Sequence, residues 1–394
     1  MKIAHVISGL EEIEGGGTAC LLALTYWELK LGHSCMIVTS REPDTEQRSQ
    51  AVRELGGTVE AFERIGPKLL RITPGIGGWM KRHGHDFDVF VMHSSYQYPV
   101  VRTSMYCRHQ GIPYIFTPHG SLDPSVRKKH VLRNKIIDIT YHDTVLRGAS
   151  SLHFTSHREM EKCERQIWKS CFVEPWGIDV DNIRLGPRTN MFRRQFGIPE
   201  NAKLLLFLSR VTRKKGIEIL LESFCRVAAK QPNLYLTLAG RIDTDMRGVV
   251  EAAKLQSTGS RIITPGFVTG EMKRAAYIDS DYFVLPTYSE NFGHALFEAL
   301  AYGLPTLTTT GIDLYEHLAK LERVRIIKPE REALYTAMAD IIENNWQPAT
   351  SVDDARKWLD DNFSWREAAK RIVAQYHKVI ETAAKNRSAG SGPI

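Results

Sequence analysis

The sequence lacks several features that mark other classes of protein. Its six cysteines are scattered and include no C-x-x-C pair, which argues against a zinc site or a disulfide framework and indicates a reducing, cytoplasmic setting. No internal repeat of fixed period is present, which excludes a solenoid. Long apolar runs are also missing. Residues 1–10 are too short and wrongly flanked for a signal peptide or a spanning helix, and they are typical of a buried first strand.

What the sequence does contain is the composition of a folded globular protein. Of its 394 residues, 43% are hydrophobic and 25% are charged. At about 150 residues per domain, this length predicts two domains. The net charge of +7 is compatible with nucleic acid, an anionic membrane or a phosphate-bearing small molecule as partner. The positions of the basic residues must decide between these classes.

One basic stretch, residues 126–137, interleaves cations with apolar residues. Its basic members are Arg127, Lys128, Lys129, His130, Arg133 and Lys135. On a helix, this spacing gives a basic face beside an apolar one, which suits peripheral contact with the anionic inner face of a plasma membrane. A solvated helix that packs its apolar side on the core is an equally open interpretation.

Short apolar runs rich in β-branched residues alternate with helical patterns along the chain. Strands are predicted at residues 3–8, 36–39, 89–93, 114–117 and 152–155, and then at 204–209, 234–239, 262–264, 283–286 and 306–308. This alternation predicts an α/β fold with parallel sheets covered by helices on both faces.

The polar, turn-rich stretch of residues 186–201 separates the two series of strands and places a domain boundary near residue 185. We therefore expect domains at 1–185 and 186–365. A helix at 366–385 should follow and pack back on the first domain, with Ser364 as N-cap and Glu367 as its capping-box partner. Residues 386–394 are predicted to form a disordered tail.

Open parallel sheets bind ligands at the carboxyl ends of their strands, and two unusual loops occupy such positions in the first domain. One is the run Gly15 to Thr18, whose glycines let a ligand approach the backbone closely. It does not match G-x-G-x-x-G, which disfavours a dinucleotide fold. The other holds His119 between Pro118 and Gly120, where it can bond a sugar hydroxyl or act as acid or base. A plain turn and a structural histidine are the alternatives.

The second domain begins with a cationic loop at residues 209–216, directly after its first strand. The loop carries Arg210, Arg213, Lys214 and Lys215 and leads into a helix. Cations at a strand end beside a helix N-terminus form a site for phosphates, since a guanidinium can grip two oxygens. The alternative is an ordinary solvated charge run.

A second loop of this domain, between residues 283 and 303, carries two spaced carboxylates. Glu290 follows a buried strand, and Glu298 lies in the second turn of a helix that begins near Gly293. Carboxylates accept two hydrogen bonds and suit vicinal hydroxyls, while the Phe292 and Gly293 amides at the helix start can meet phosphate. In the alternative, Glu290 is a helix cap and Glu298 a surface residue.

Together, these motifs resemble the retaining GT-B glycosyltransferases of family 4. The resemblance rests on Arg210-x4-Lys215-Gly216, Glu290-x7-Glu298, the Pro118-His119-Gly120 segment and the early glycines, and it spans nearly the whole chain. It implies a GT-B architecture, in which two Rossmann-like, doubly wound parallel-sheet domains face each other across a cleft. The first would bind the acceptor and the second the nucleotide-sugar donor.

The resemblance also implies roles for individual residues. His119, Arg210, Lys215 and Glu290 would be the catalytic residues. Arg210 and Lys215 would hold the donor diphosphate, Glu290 the donor sugar near its reacting carbon, and His119 the sugar from the first domain. The implied donor-binding residues are Gly16, Gly17, Gly266, Phe267, Val268, Asn291, Phe292, Gly293 and Glu298. Of these, Glu298 would bind the ribose, and residues 266–268 the base.

Three positions depart from the family pattern. Trp176 stands where similar enzymes often have asparagine, and it is expected to reshape the hinge or the acceptor mouth. Asn291 and His294 replace the more usual glycine and hydrophobic residue, which is expected to shift sugar preference.

The implied activity is transfer of a hexose from a nucleotide diphosphate sugar, with UDP as the expected nucleotide, to a hydroxyl of a glycan or lipid-linked glycan. Anomeric configuration would be retained, with no metal, no cofactor and no nucleic-acid partner. Two other hypotheses stay open: a nucleotide-sugar 2-epimerase of the same fold, and a basic binding protein without catalysis.

Overall fold

The computed structural model of the chain describes residues 1–10, 16–43, 45–66, 71–93, 97–124, 143–163, 167–256 and 258–388. It divides into two compact units. The first combines residues 1–177 with the C-terminal helix, and the second is Ile178–Ser364. The chain thus passes from the first unit to the second after Gly177, ahead of the boundary predicted near residue 185.

The described part of the first unit holds a seven-stranded parallel sheet in the order β3-β2-β1-β4-β5-β6-β7. Its strands are β1 Lys2–Val6, β2 Ser34–Ser40, β3 Thr58–Phe62, β4 Val89–His93, β5 Tyr114–Thr117, β6 Ser151–Phe154 and β7 Cys171–Val173. Its described residues before 178 form the helices α1 Gly16–Lys30, α2 Thr45–Glu54, α3 Gly75–His83, α4 Tyr98–Gln110, α5 Asp143–Gly148 and α6 His157–Glu161.

The described part of the second unit holds a six-stranded parallel sheet in the order β10-β9-β8-β11-β12-β13. Its strands are β8 Lys203–Leu208, β9 Leu234–Ala239, β10 Ile262–Gly266, β11 Tyr282–Leu285, β12 Thr306–Thr309 and β13 Val324–Ile327. Its helices are α7 Met191–Gln195, α8 Ile217–Ala228, α9 Thr244–Lys254, α10 Gly270–Ile278, α11 His294–Ala301, α12 Tyr315–Leu318, α13 Arg331–Glu343 and α14 Val352–Phe363.

The prediction of an α/β fold with two Rossmann-like parallel sheets is confirmed. All ten predicted strands are present, most within one or two residues of the predicted bounds. The central strands are covered on both faces, so their apolar runs are nearly continuous. Three strands were missed: β3, β7 and β13, which lie at sheet edges and are only partly buried. Their patterns are correspondingly weaker.

The C-terminal helix, α15 Trp365–Ser388, contacts α1 and continues beyond the predicted end at residue 385. The predicted capping box is wrong. The Ser364 hydroxyl has no hydrogen-bond partner among the described residues, because its backbone pairs with Ile178 and its side chain is buried. The Glu367 carboxylate instead accepts a hydrogen bond from Lys370 at 2.8 Å.

The basic stretch of residues 126–137 and the end of the predicted tail, residues 389–394, lie outside the described residues. Among the helices of the described ranges, none has both the length and the apolar character that crossing a bilayer requires.

Candidate active site

Three loops at the carboxyl ends of β8, β9 and β10 begin side by side in the second unit. Gly240, after β9, has no room for a side chain, because an added Cβ would lie 2.0 Å from the Ser209 carbonyl oxygen. The Gly240 N–H donates to the carbonyl of Gly266 at 2.8 Å. The loop that carries Arg210 therefore starts one strand away from the predicted base-contacting segment, in which Phe267 is 51% exposed.

The cationic loop is also fastened to the end of β11. Gly216 has a φ of 70°, and an added Cβ would lie 2.0 Å from the Pro286 carbonyl oxygen, so only glycine fits. The Lys214 carbonyl accepts hydrogen bonds from the Tyr288 N–H at 2.9 Å and the Thr287 hydroxyl at 3.1 Å. This packing brings the cations against the loop of Glu290.

Lys215 and Glu290 form an ion pair, with side chains that are 13% and 17% exposed. Burial, followed by the charges of Lys214 and Arg210, lowers the pKa of Lys215 to about 7. The Glu290 carboxylate opposes this effect by favouring the ammonium form. Arg210 is exposed and makes no ion pair within the described residues. An anion arriving here meets an exposed guanidinium and an ammonium that is already oriented.

The backbone around Glu290 is held on the side of β12. The Glu290 N–H donates to the Gly311 carbonyl at 2.9 Å, and the Asp313 N–H donates to the Glu290 carbonyl at 2.8 Å. Gly293 precedes α11 with a φ of 82°, and an added Cβ would lie 3.3 Å from Glu290 Cγ. The start of α11 and the Glu290 side chain are therefore in contact range.

The amides that lead into α11 point to an anion-binding role for this turn. The N–H groups of Asn291, Phe292 and Gly293 donate no hydrogen bond to any atom in the described part of the chain. The helix dipole adds a partial positive charge at the same point. The Phe292 ring is buried and stacks on Phe297 with centroids 4.5 Å apart, so this residue can offer a ligand its backbone only.

Glu298 is oriented by two residues of α10. Its carboxylate accepts hydrogen bonds from Lys273 at 2.8 Å and from the Tyr277 hydroxyl at 2.7 Å. Burial, followed by the Glu298 charge, raises the pKa of Tyr277. Burial also lowers the pKa of His294, one turn before Glu298, to about 4. At neutral pH, the His294 imidazole beside Glu298 is therefore uncharged.

In the first unit, the structure brings Gly17 and His119 together. A Cβ added to Gly17, near the start of α1, would lie 3.7 Å from His119 Cγ and Nδ1. The His119 ring stacks on buried Trp176, with centroids 5.4 Å apart and planes 14° apart. His119 Nε2 lies 2.9 Å from Nδ1 of His93, at the end of β4. Gly16 is exposed at the first position of α1.

The backbone of His119 is strained, with a φ of 49°. The carboxylate of Glu159 holds the loop in this conformation. Its oxygens accept hydrogen bonds from the Gly120 N–H at 3.0 Å and from the Thr155 N–H at 2.8 Å. Strain that is maintained in this way at a strand end is typical of a ligand-binding position.

Family models match both units. Residues 189–358 match the model described as Glycosyl transferases group 1, and residues 15–170 match the model described as Glycosyl transferase 4-like domain. The chain belongs to the family 4 glycosyltransferases. The resemblance drawn from Arg210, Lys215, Glu290 and Glu298 is thereby confirmed.

Relatives of this glycosyltransferase are distant. It is 28% identical over 211 residues to the uncharacterized glycosyltransferase MJ1607 of Methanocaldococcus jannaschii, a match that covers 53% of each chain. It is 26% identical over 274 residues to the putative teichuronic acid biosynthesis glycosyltransferase TuaC of Bacillus subtilis, covering 69% of this chain and 66% of TuaC. The chain thus spans about half to two thirds of these relatives.

A solved structure shows the same fold. The Anabaena protein Alr3699/HepE in complex with UDP-glucose superposes with a TM-score of 0.77 at 16% identity, over 96% of this chain and 100% of that one. At this identity, the likeness concerns the fold alone.

Several residues that shape the glycosyltransferase site were missed at the sequence level. Lys273 and Tyr277 are four residues apart on α10, so they share a face, but nothing in their spacing points to Glu298 across the unit. Glu159 and His93 act on the His119 loop from other elements, and only their strand-end positions could have suggested them. Within the described ranges, no group of three or more acidic, histidine or cysteine side chains is placed to hold a metal ion.

Proposed function

We propose that this glycosyltransferase moves a hexose from a UDP-linked sugar to a hydroxyl of a glycan or lipid-linked glycan, in polysaccharide biosynthesis in the cytoplasm. The observation that carries this proposal is the largely buried Lys215–Glu290 ion pair next to exposed Arg210. A diphosphate contacting both cations would leave Glu290 free to accept hydrogen bonds from the attached sugar.

The donor diphosphate is assigned to Arg210, Lys215 and the amides of residues 291–293. Fixed cations and a helix N-terminus stabilise the negative charge that develops as the nucleotide leaves. They supply this charge without a metal ion or a cofactor. The nucleotide diphosphate sugar is then a co-substrate, and metal independence is part of the proposal.

The nucleoside is assigned to the other two groups of residues. Glu298, held by Lys273 and Tyr277, can accept hydrogen bonds from both ribose hydroxyls. Exposed Phe267, between Gly266 and Val268, offers an apolar face for a base. UDP is favoured as the nucleotide because the Anabaena protein of the same fold was solved with UDP-glucose.

Retention of anomeric configuration follows in this proposal from a same-face attack. Glu290 is bound to Lys215 and is better placed to bind hydroxyls than to attack carbon. The acceptor hydroxyl would then form its bond to the anomeric carbon as the carbon–phosphate oxygen bond breaks, and its proton would pass to the departing diphosphate. A trapped glycosyl-enzyme adduct would overturn this mechanism.

A lipid-linked acceptor would suit the basic stretch of residues 126–137, which we assign to peripheral contact with an anionic membrane surface. Flotation with vesicles of anionic lipid tests this part separately. Loss of binding when Lys128 and Lys129 are both changed to glutamine is expected. Equal flotation of the wild type with neutral and anionic vesicles would exclude it.

A melting-temperature screen tests the donor assignment. UDP, GDP and ADP sugars are added to the protein with and without magnesium, and stabilisation by UDP sugars alone, unchanged by magnesium, is expected. Incubation with UDP-N-acetylglucosamine and no acceptor separates transfer from epimerisation, since conversion to the 2-epimer would favour the epimerase. A gel shift with nucleic acid but no stabilisation by any nucleotide sugar would favour the binding protein.

A further inference from the structure

A chain of four titratable side chains runs through the core of the first unit to His119. Glu28 Oε2 lies 2.6 Å from His5 Nε2. His5 Nδ1 lies 3.1 Å from His93 Nε2, and His93 Nδ1 lies 2.9 Å from His119 Nε2. The side chains of Glu28, His5 and His93 are completely buried. His119, at the end of the chain, is partly exposed and lies against Gly17.

The sheet order explains how these residues meet. His5 lies on β1, His93 ends β4, and His119 follows β5, and these three strands are consecutive neighbours in the sheet. Glu28 comes from α1, which also carries Gly17 against His119. Burying a carboxylate and two imidazoles costs several kcal/mol unless each finds a partner. Here Glu28 Oε2 and both imidazoles have another member of the chain as a partner, whereas Glu28 Oε1 has none among the described residues.

The carboxylate at one end and the neutral imidazoles together give the hydrogen bonds one direction. Burial, followed by the neighbouring His119, His5 and His153 rings, lowers the pKa of His93 well below its ordinary value. A neutral His93 donates from one ring nitrogen and accepts at the other. When Glu28 is ionised, His5 Nε2 donates to it. With His5 also neutral, His93 Nε2 donates to His5 and His119 Nε2 donates to His93, so His119 Nδ1 is in its acceptor form.

Uptake of one proton reverses the donor–acceptor direction of all three hydrogen bonds. A proton added at His119 Nδ1 allows the Nε2 proton of His119 to move to His93 Nδ1. The Nε2 proton of His93 then moves to His5 Nδ1, and that of His5 moves to Glu28. Four side chains with a total charge of −1 become four neutral ones, and His119 Nδ1 changes from acceptor to donor.

We propose that Glu28, His5 and His93 are positioning residues that set the hydrogen-bonding polarity of His119 toward its ligand. With Glu28 ionised, His119 Nδ1 accepts a hydrogen bond from a ligand hydroxyl, and after uptake of one proton it donates one. The consequence for sugar transfer rests on the proposed function, whereas the tautomeric order of the four side chains is independent of it.

Other titratable groups surround this chain. Burial, followed by Glu28, raises the pKa values of Cys35, whose thiol donates to Glu28, and of Tyr376 on α15. Burial lowers the pKa of His153, which lies near His93, to about 4. Burial and the amino terminus lower the pKa of His33, which also lies near Glu28. All four are neutral at pH 7, and the Met1 amino group is the nearby cation, so these side chains do not replace the charge of Glu28.

Nitrogen-15 NMR of histidine-labelled, unliganded wild-type protein tests the order directly. At pH 8, we expect the protons of His5, His93 and His119 on Nε2, with scalar couplings across the two histidine–histidine hydrogen bonds. Protons on Nδ1 of His5 and His93 at this pH would overturn the proposal. This measurement needs no variant and no activity, so it is independent of the proposed function.

The variant Glu28→Gln then tests the role of the carboxylate. We expect the midpoint of the His119 signals against pH to fall by about one pH unit, because the charge that favours proton uptake is lost. The same shift is expected in the pH profile of kcat/KM for transfer. The matched control is Thr25→Val, one turn away on α1, since Thr25 is equally buried and outside the chain.

Unchanged midpoints and tautomers in a folded Glu28→Gln protein would contradict the assignment. If that variant does not fold, His5→Gln interrupts the chain at its second member and is expected to produce the same shift. A confirmed tautomeric order in a protein that transfers no sugar would count against the proposed function and would still support the assignment of the four hydrogen-bonded side chains.

Discussion

At the scale of single residues, the state of Lys215 is set by opposing effects. Burial and the cations of its own loop disfavour the ammonium, and the Glu290 carboxylate favours it. A bound diphosphate would add a second anion beside Lys215 and would further stabilise its ammonium form. The Lys215 ammonium is therefore expected to be most stable when an anion is bound next to it.

Replacement of Lys215 by methionine should lower kcat by about 100-fold or more, because a preorganised charge at the leaving group is lost. Release of UDP from a UDP sugar in the presence of acceptor measures this. The control is Lys230→Met, which removes an exposed lysine bonded to the Tyr335 hydroxyl. An equal reduction of kcat in both variants would contradict a specific role of Lys215 at the leaving group.

The lowered pKa of Lys215 also predicts how donor binding depends on pH. UDP needs the ammonium form, so above pH 7 binding must take up a proton and the affinity should fall, by up to about tenfold per pH unit. Calorimetry between pH 6 and pH 9 measures this. The dependence should disappear in Lys215→Met, and the same slope in both proteins would refute the assignment.

At the scale of elements, close packing of strand-end loops builds the donor site. Gly216 and Gly240 each place a Cα where a Cβ would meet a carbonyl oxygen at 2.0 Å. These contacts tie the loops after β8, β9 and β11 to one another. The side chains that depend on them are Arg210, Lys215 and Glu290.

Gly216→Ala should therefore destabilise the protein by about 2 kcal/mol or more, from the carbonyl clash and the positive φ. Gly248→Ala is the matched control, since Gly248 is an exposed helical glycine with nothing within 4 Å of an added Cβ. That change should stabilise α9 slightly. Denaturant unfolding compares them, and equal stability of the two variants would contradict the packing argument.

The sequence predicts a strand accurately where a single hydrophobic pattern runs along its whole length. Central strands such as β4 and β9 carry continuous apolar runs and were predicted with their observed bounds. Edge strands such as β3 carry mixed patterns, because one side faces away from the sheet. Ser364 has the right spacing for a cap but is buried beside Ile178, a contact that only the tertiary structure supplies.

The same contrast applies to the site. Arg210, Lys215 and Glu290 lie on loops next to their strands, so their proximity follows from the order of a parallel sheet. The partners of Glu298 and His119 come from elements distant in sequence. Lys273 reaches Glu298 from α10, and Glu28 acts on His119 through two buried histidines. No local pattern encodes such contacts.

At the scale of the whole molecule, each unit has its own sheet, and the first is completed by the end of the chain. Helix α15 buries Trp365, Ile372 and Tyr376 in the first unit. Fully burying one large apolar side chain contributes roughly 1.5–3 kcal/mol, so several of them approach the total stability of a domain.

A chain that ends at Ser364 should consequently lose the cooperative unfolding of the first unit, because the face of α1 that packs on α15 becomes exposed. Scanning calorimetry of the full chain and the shortened chain compares the transitions. A shortened chain that unfolds as the full chain does would contradict the assignment of α15 to the first unit.

The donor site is the centre of this account, and its most direct test is calorimetric titration of UDP and of uridine into three proteins. These are the wild type, Arg210→Ala and Arg213→Ala, the last removing an exposed arginine of the same loop that pairs with Glu218. We expect Arg210→Ala to weaken UDP binding by about tenfold or more and to leave uridine binding unchanged, with Arg213→Ala close to the wild type. Equal UDP affinity in the wild type and Arg210→Ala would contradict the account.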